Sequence, residues 1–275
     1  MSGQAKRALK CIAKHALIYL CLFIVFFPFL WMILASFQTQ KVIMNAGKGL
    51  LRFQPTLANY HKAFWQHSFG LPIFNSFVIG LMSTGFALVL GLPAAYSIGR
   101  FKQRKISMLI LLVRMIPGIT FLMPWFSIFS SIGLIDTYFA MVLAHMLVAL
   151  PFIIWIMVPF FEGIPRELEE AAWVDGSSRV GGFARIMLKL SLPGILTASL
   201  LAFIYSWNNF MFSLVLSGAR TITLPIAIFS FISYASVDWG GLMAASVVIT
   251  VPILVMSVFL QKYIVGGLTA GAVKG

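Results

Sequence analysis

The stretch EEAAWVDGSSRVGGFARIMLKLSLP, Glu169 to Pro193, decides how this chain is read. The sequence has seven acids, and five of them, Glu162, Glu167, Glu169, Glu170 and Asp175, fall in this stretch or just before it. Asp136 and Asp238 stand alone. Long apolar segments flank the island on both sides. A polar segment so placed is held out of the apolar body of the protein, available to something outside the chain.

The flanks set the class. At 60% hydrophobic residues, 10% charged residues and a mean hydropathy of +0.97, the 275-residue chain is far from a soluble average and is polytopic in a membrane. A span needs roughly 20 apolar residues. Six are predicted, at 16–37, 74–99, 107–132, 138–161, 188–217 and 242–265, the over-long fifth bending near Pro193. This divides the chain into an N-terminal tail 1–15, a transmembrane region 16–265 containing the island at 162–187, and a C-terminal tail 266–275.

Basic residues are retained on the cytoplasmic side. With both ends inside, that side holds Lys6, Arg7, Lys10, Lys14, the cluster Arg100, Lys102, Arg104 and Lys105, then Arg166, Arg179, Arg185, Lys189, Lys262 and Lys274. Outside lie Lys41, Lys48, Arg52, Lys62 and Arg220. A net charge of +13 spread over loops beside spans, with no interleaved aromatic platform, argues against nucleic-acid binding. Cys11 and Cys21 lie about 15 Å apart on a continuous helix, too far for a disulfide. The first apolar run is too long for a signal-peptide core and is read as a retained span.

Two outer loops carry more than a connection. The loop at 38–73 contains LRFQPTLANYHKAFW and is long enough to fold locally. The loop at 218–241 contains TITLPIAIFSFISYAS, broken by Pro225 and hydroxyl residues, and is expected to lie at the interface or fold back into the protein, with deeper entry the alternative.

Within the island, Pro165 suits the first position of a helix and Glu167, Glu169 and Glu170 favour its positive end. Gly176 is placed to end that helix in a left-handed conformation, and Ser177 or Ser178 to cap a second one. Ile164, Leu168, Ala171 and Ala172 fall near one face. A well-capped cytoplasmic loop whose acids balance nearby arginines would show the same periodicity.

What separates the two readings is a spacing. Glu170, Ala171 and Ala172, then Gly176 after three residues, then Ile186 after nine more, then Leu188 and Pro193, resemble the EAA motif of the permease subunits of bacterial ABC importers. Lys189 stands where that pattern has its first proline. The likeness extends over nearly the whole chain, through NSFVIGLMSTGFALVLGLPAAYSIGRF from Asn75, GLIDTYFAMVLAHMLVALPFIIWIMVPFFEGIPRELEEAAWVDG from Gly133, FIYSWNNF from Phe203 and GLTAGAVKG from Gly267. It is similar to the carbohydrate group, in particular the second permease of maltose-type and glycerol-3-phosphate-type systems. In that group an acid often follows the asparagine of the WN stretch; here the position is Asn209.

The resemblance implies an all-α membrane protein of the type I ABC importer permease fold, with six transmembrane helices and a cytoplasmic coupling helix, in a bacterial inner membrane. It implies a second permease, two ATPase subunits that bind ATP and Mg, an extracytoplasmic solute-binding protein and a sugar-type substrate, and no cofactor or metal in this chain. Glu169, Glu170, Ala171, Ala172, Asp175 and Gly176 would dock the ATPase. Gly271 to Gly275 would reach between the ATPases, and the loop 218–241 would probe the receptor.

Polar groups inside spans are the candidates for the solute path. Arg114, in LLVRMIPG, either snorkels or pairs structurally, or lines the path, where it would hint at an anionic sugar derivative. Trp207, Asn208 and Asn209 combine an aromatic face with amide groups, against the alternative of interhelical hydrogen bonding. Asn75, with Ser76, is a further candidate. His145, without an acid or a second histidine at ligand spacing, reads as a satisfied buried imidazole. Pro117, Gly118, Pro151 and Pro159 read as helix breaks or bends.

There is no G-x-x-x-x-G-K-[ST] phosphate loop, so ATP hydrolysis belongs to another chain and no catalytic residue is expected. The solute could also be a polyol or a glycerol-phosphate-type compound. A polytopic enzyme on lipid-linked substrates would need an acid, histidine or metal cluster at the membrane face, and the acids instead lie in the island.

Overall fold

The computed structural model describes residues 3–45, 54–234 and 236–270. Lys48, Arg52 and the terminal Gly271 to Gly275 segment lie outside the described residues. Extended pairing among the described residues is the isolated antiparallel bridge between Ile232 and Val237; the rest is helix and connection.

In chain order the helices are α1 (Gly3–Ser36), α2 (Gln40–Met44), α3 (Ala58–His61), α4 (Gly70–Arg100), α5 (Arg104–Met115), α6 (Leu122–Ser131), α7 (Tyr138–Gly163), α8 (Glu167–Val174), α9 (Arg179–Gly182), α10 (Leu188–Leu190), α11 (Leu192–Trp207), α12 (Met211–Leu216), α13 (Leu224–Ala227) and α14 (Trp239–Ala270). Four contain segments long and apolar enough to cross a bilayer: Lys10–Ser36, Gly70–Arg100, Tyr138–Gly163 and Trp239–Phe259. Two bent pairs bring the number to as many as six, Arg104–Met115 with Gly118–Ser131 at 85° and Arg179–Leu190 with Leu192–Trp207 at 77°.

The expected third span is therefore two segments. Ile116 precedes a proline and takes an extended conformation, φ −71° and ψ 122°, because the Pro117 ring disfavours the helical region for its neighbour. The fifth bends beside Pro193, as expected, but its helix stops at Trp207, with Asn208 to Phe210 separating it from α12. Both expected tails are partly helical, since α1 begins at Gly3 and α14 runs to Ala270.

The residues group into two compact units, Met1–Ser68 with Ser230–Thr250, and Phe69–Phe229 with Val251–Gly275. In the first, the expected local fold of the 38–73 loop is present around α3. Asn59 donates to the carbonyls of Ser36 and Gln38, both at 2.8 Å, Gln40 donates to Val237 O at 2.8 Å, and Lys62 pairs with Asp238 at 3.0 Å. Asp238 also accepts from Gly241 N, capping α14.

In the second unit α4, α7 and α11 pack into a core. Small residues on α4, Ala87, Gly91, Ala95 and Gly99, recur at spacings of four and are buried, which lets helix backbones approach. At Gly99 the approach is closest to backbone: an added Cβ would stand 3.1 Å from Val158 O.

At the end of this unit remote from Arg100, Asp136 organises a loop. Its carboxylate accepts from the amides of Gly218 (2.9 Å), Arg220 (3.1 Å) and Thr221 (2.8 Å) and from the Thr221 hydroxyl (2.7 Å). Burial works to raise the carboxyl, but these hydrogen bonds outweigh it and hold Asp136 below the ordinary carboxylate range. Asn75 and Ser76 of α4 grip the next turn, Asn75 donating to Arg220 O and Ile222 O and Ser76 accepting from Leu224 N. The 218–241 loop thus folds back into the protein at least as far as α13.

Asp136→Ala should lower thermal stability by about 1–3 kcal/mol, the cost of orphaned buried donors, with hydrogen exchange accelerated at residues 218–221. Because the folded-state carboxyl is depressed, its contribution is present above the unfolded value of about 3.9 and is lost as pH falls through the folded one. A melting series from pH 7 to pH 3 on wild type and Asp136→Ala should therefore converge at the acid end.

Candidate functional site

Helix α7 ends at Gly163, where Ile164 turns extended with ψ 125°. Pro165 makes the turn and α8 starts at Glu167, so the proline lies before the helix and not at its first position. Glu167, Glu169 and Glu170 sit in the first turn, favourable to its dipole as expected. At the other end Gly176 has φ +84°, a left-handed conformation costly to a residue with Cβ. Ser177 N reaches Ala172 O at 2.9 Å and Gly176 N reaches Trp173 O at 3.0 Å, closing the helix in a Schellman arrangement. Ser178 Oγ then accepts from Gly181 N at 3.1 Å and caps α9.

What fixes this elbow to the bundle is a pair the sequence reading missed. Glu169 is 1% exposed; one carboxylate oxygen meets Arg100 Nε at 2.8 Å and the other accepts from the Tyr96 hydroxyl. Arg100 also donates to Ile164 O at 3.1 Å, and Arg166 returns a bond to Arg100 O at 2.7 Å. The last turn of α4 is thereby tied to α8 and to the turn before it. Burial raises the Glu169 carboxyl above the ordinary range, with Arg179 pulling it down and Glu170 adding to the rise. A carboxylate in such a place needs the guanidinium against it. Tyr96 and Arg100, four apart on one helical face, were the available signal.

The expected docking set consequently divides. Glu169 and Ala172 turn inward and are buried, while Glu170, Ala171, Asp175 and Gly176 remain exposed. The expected apolar face divides too: Leu168 and Ala171 are exposed, Ala172 is buried, and Ile164 lies before the helix. Val174 and Val180, 87% and 76% exposed, join the outer side. Beneath them Trp173 packs on Gly182, where a Cβ would lie 3.3 Å from the indole nitrogen, and Arg179 stacks 5.2 Å over its ring.

The expected path residues are not brought together. Asn75 is fully buried and spends its amide on loop backbone and its oxygen on the Tyr138 hydroxyl at 2.5 Å, a structural role. Trp207 is buried and stacks with Phe203. Asn208 is exposed and its amide returns to Ile204 O. Asn209 accepts from Phe212 N at 3.0 Å, satisfying the start of α12. The two asparagines thus serve the helix break that they occupy. His145 is buried with Nδ1 2.6 Å from Ser206 Oγ, and Ser83 donates to the same hydroxyl; its Nε2 has no hydrogen-bond partner among the described residues.

Arg114 stands apart. Its guanidinium lies 4.4 Å over the Trp155 ring and 5.0 Å over Phe152, so from the last turn of α5 it pairs with aromatic faces on α7. Arg114 is exposed among the described residues, where such contacts are worth about 0.5–1 kcal/mol, short of an insertion cost of roughly 2.5–3.5 kcal/mol for a mid-membrane charge. It borders a cavity of about 580 Å³ that also takes in Pro117, Gly118, Phe152 and Tyr205. Among the described residues no group of histidines, cysteines and acids could hold a metal ion.

Residues 87–269 match the family model described as Binding-protein-dependent transport system inner membrane component. The chain is 36% identical over 278 residues to the trehalose/maltose transport system permease protein MalG of Thermococcus litoralis, covering 98% of each. It is 35% identical to the sulfoquinovosyl glycerol transport system permease protein SmoH of Agrobacterium fabrum, covering 90% of this chain and 89% of that one. Its backbone superposes with a TM-score of 0.80, at 18% identity and over 96% of this chain and 99% of the other, on a chain of a bacterial ABC transporter involved in the import of the acidic polysaccharide alginate.

Removing one member of the buried pair leaves the other charged and unpaired. Glu169→Leu or Arg100→Met alone should cost about 3–5 kcal/mol and expose the 164–178 backbone to protease, whereas the double variant should recover most of the loss. Thermal unfolding of the purified chain with limited proteolysis checks both; additive losses would mean that the two residues are not coupled.

Proposed function

The chain belongs to the family of binding-protein-dependent transport system inner membrane components, and from that premise we propose that it is the permease subunit of an ATP-driven importer for a sugar or sugar derivative. As a member of that family it is a membrane-embedded transport subunit and not an enzyme. Trehalose, maltose and sulfoquinovosyl glycerol stand in the names of its relatives, and alginate in that of its structural neighbour. These support a carbohydrate-type solute over other cargo.

In this reading two permeases form the path, two ATPase subunits bind ATP and Mg at the cytoplasmic face, and an extracytoplasmic binding protein delivers the solute. Both termini are cytoplasmic, on the side that carries the Arg100–Lys105 cluster and the elbow. The observation that carries the proposal is the elbow: a short helix whose inner face is bound to α4 through Glu169 and whose outer side offers Glu170, Ala171, Val174, Asp175 and Gly176. An ATPase seated on that outer side would move α4 when it closes, because the inner side is not free to slip. Docking here involves the exposed members of the motif; Glu169 and Ala172 contribute by holding the helix in place.

Two variants test the docking. Gly176→Leu, strained at φ +84°, should lower ATPase association and abolish uptake while the chain stays in the membrane. Val174→Asp, on an exposed position that asks nothing of the fold, should weaken ATPase co-purification by at least about tenfold, the worth of one buried apolar contact at a hot spot. Normal co-purification and uptake for both would exclude this surface.

A further inference from the structure

The cavity beside Arg114 has a composition that goes beyond a generic sugar path. Arg114 is ten residues along α5 from Arg104, about 15 Å at helical rise, or half the roughly 30 Å hydrocarbon thickness. Phe152 lies eleven residues from the end of α7 at Gly163, about 16 Å on the same rise, so the rings that hold the guanidinium lie at the same depth. The charge is held at mid-depth along its span, on a side of α5 that this chain leaves exposed.

No acid answers it. The seven acids of the chain are Asp136, Asp238 and the five from Glu162 to Asp175, all outside the α5–α6 span, and the ion pairs among the described residues involve Lys62, Arg100 and Arg220. Stacking uses the faces of the guanidinium and leaves its in-plane N–H donors unspent; none of them is hydrogen-bonded among the described residues. The same cavity offers acceptors. Helix α5 breaks at Ile116 and Pro117; Ile116 N still reaches Val113 O at 3.2 Å, and the carbonyls after it in the last turn are left without an intrahelical donor. Pro151 has no N–H to give to Leu147 O, and both residues line the cavity. Phe121, Phe152 and Tyr205 supply ring surface. A volume of about 580 Å³ falls within the range of small-molecule sites.

Cation, carbonyls and rings together match a solute with one anionic group, several hydroxyls and an apolar face. Resting on the sugar-import reading, we propose that this cavity is a subsite for an acidic sugar, a carboxylated, sulfonated or phosphorylated derivative, whose anion Arg114 receives through in-plane charge-assisted hydrogen bonds. Hydroxyls of the same sugar donate to the stranded carbonyls. Arg114 is the specificity determinant, and the aromatic pair on α7 keeps it presented to the cavity instead of letting it snorkel to the nearer membrane face.

The test uses the whole complex, purified through a tag on this chain with its co-purifying subunits and receptor, in ATP-loaded proteoliposomes. The probes are a uronic-acid disaccharide, a sulfonated monosaccharide glycoside, a sugar phosphate and neutral trehalose. Wild type should import at least one acidic probe. Arg114→Gln should lower that uptake by about tenfold or more, the worth of a charge-assisted hydrogen bond, with Arg114→Lys partly restoring it and the subunits still co-purifying. Uptake of trehalose alone, equal in wild type and Arg114→Gln, would overturn the subsite and leave the sugar importer standing. Dispersal of the complex by Arg114→Gln would overturn it also, by showing that the guanidinium pairs with another subunit. Import of no probe by wild type would remove the sugar-import reading and the subsite with it.

Discussion

A carboxylate cannot be buried at the margin of an apolar bundle without a counter-charge, and Glu169 has met that constraint with Arg100. The rest of the elbow follows from it. Once Glu169 faces inward, Ala172 faces inward with it, Glu170 and Ala171 face outward, and the Schellman turn at Gly176 sets the direction in which the chain leaves. Tyr96 and Ile164 complete the anchorage from both sides of the pair. Replacing such a pair by apolar residues of similar volume can leave a protein as stable as before. Its value here lies in directionality: it fixes which face of a short helix points away from the membrane domain, something that apolar packing alone would leave loosely determined.

The same accounting governs the other polar groups in the bundle. Where a helix breaks, backbone groups lose their partners, and in this chain side chains stand at those places to replace them. Asn209 serves the start of α12, Asn75 and Ser76 serve the loop leading to α13, and Asp136 serves the turn at 218–221. Position 218 must be glycine for this last device to work, since a Cβ there would stand 2.7 Å from the Asp136 carboxylate. Arg114 differs from these, a charge secured by ring faces with no hydrogen bond among the described residues. That contrast is the ground for the proposed subsite, whereas the others serve the fold.

Local features were legible in the sequence. The Gly176 turn, the Ser178 cap, the break at Pro117 and the bend near Pro193 each depend on a few adjacent residues, and each is present. The role of a polar residue inside a span was less legible, because its partners are distant in the chain. The amide of Asn75 reaches backbone 145 and 147 positions away, and Glu169 meets a tyrosine 73 positions away. Residue type showed that each needed a partner, while only the packed helices show which one. Choosing between adjacent acids needed the phase of α8, which Glu169 and Ala172, three apart and both buried, reveal in retrospect.

In the proposed importer α8 moves with α4 as one body because the Arg100–Glu169 pair binds them. The direct measurement is a spin-label distance between Phe101, just past the end of α4, and Val174, on the outer side of α8, in the assembled complex with Cys11 and Cys21 replaced. Recorded without nucleotide and with the ATPases trapped closed on ATP, the distance should stay the same within the width of a single distribution, while labels at Val174 and on the opposing permease change their separation. A shift of about 5 Å or more between Phe101 and Val174, the length of a helical turn, would show the elbow sliding on α4 and would contradict the account.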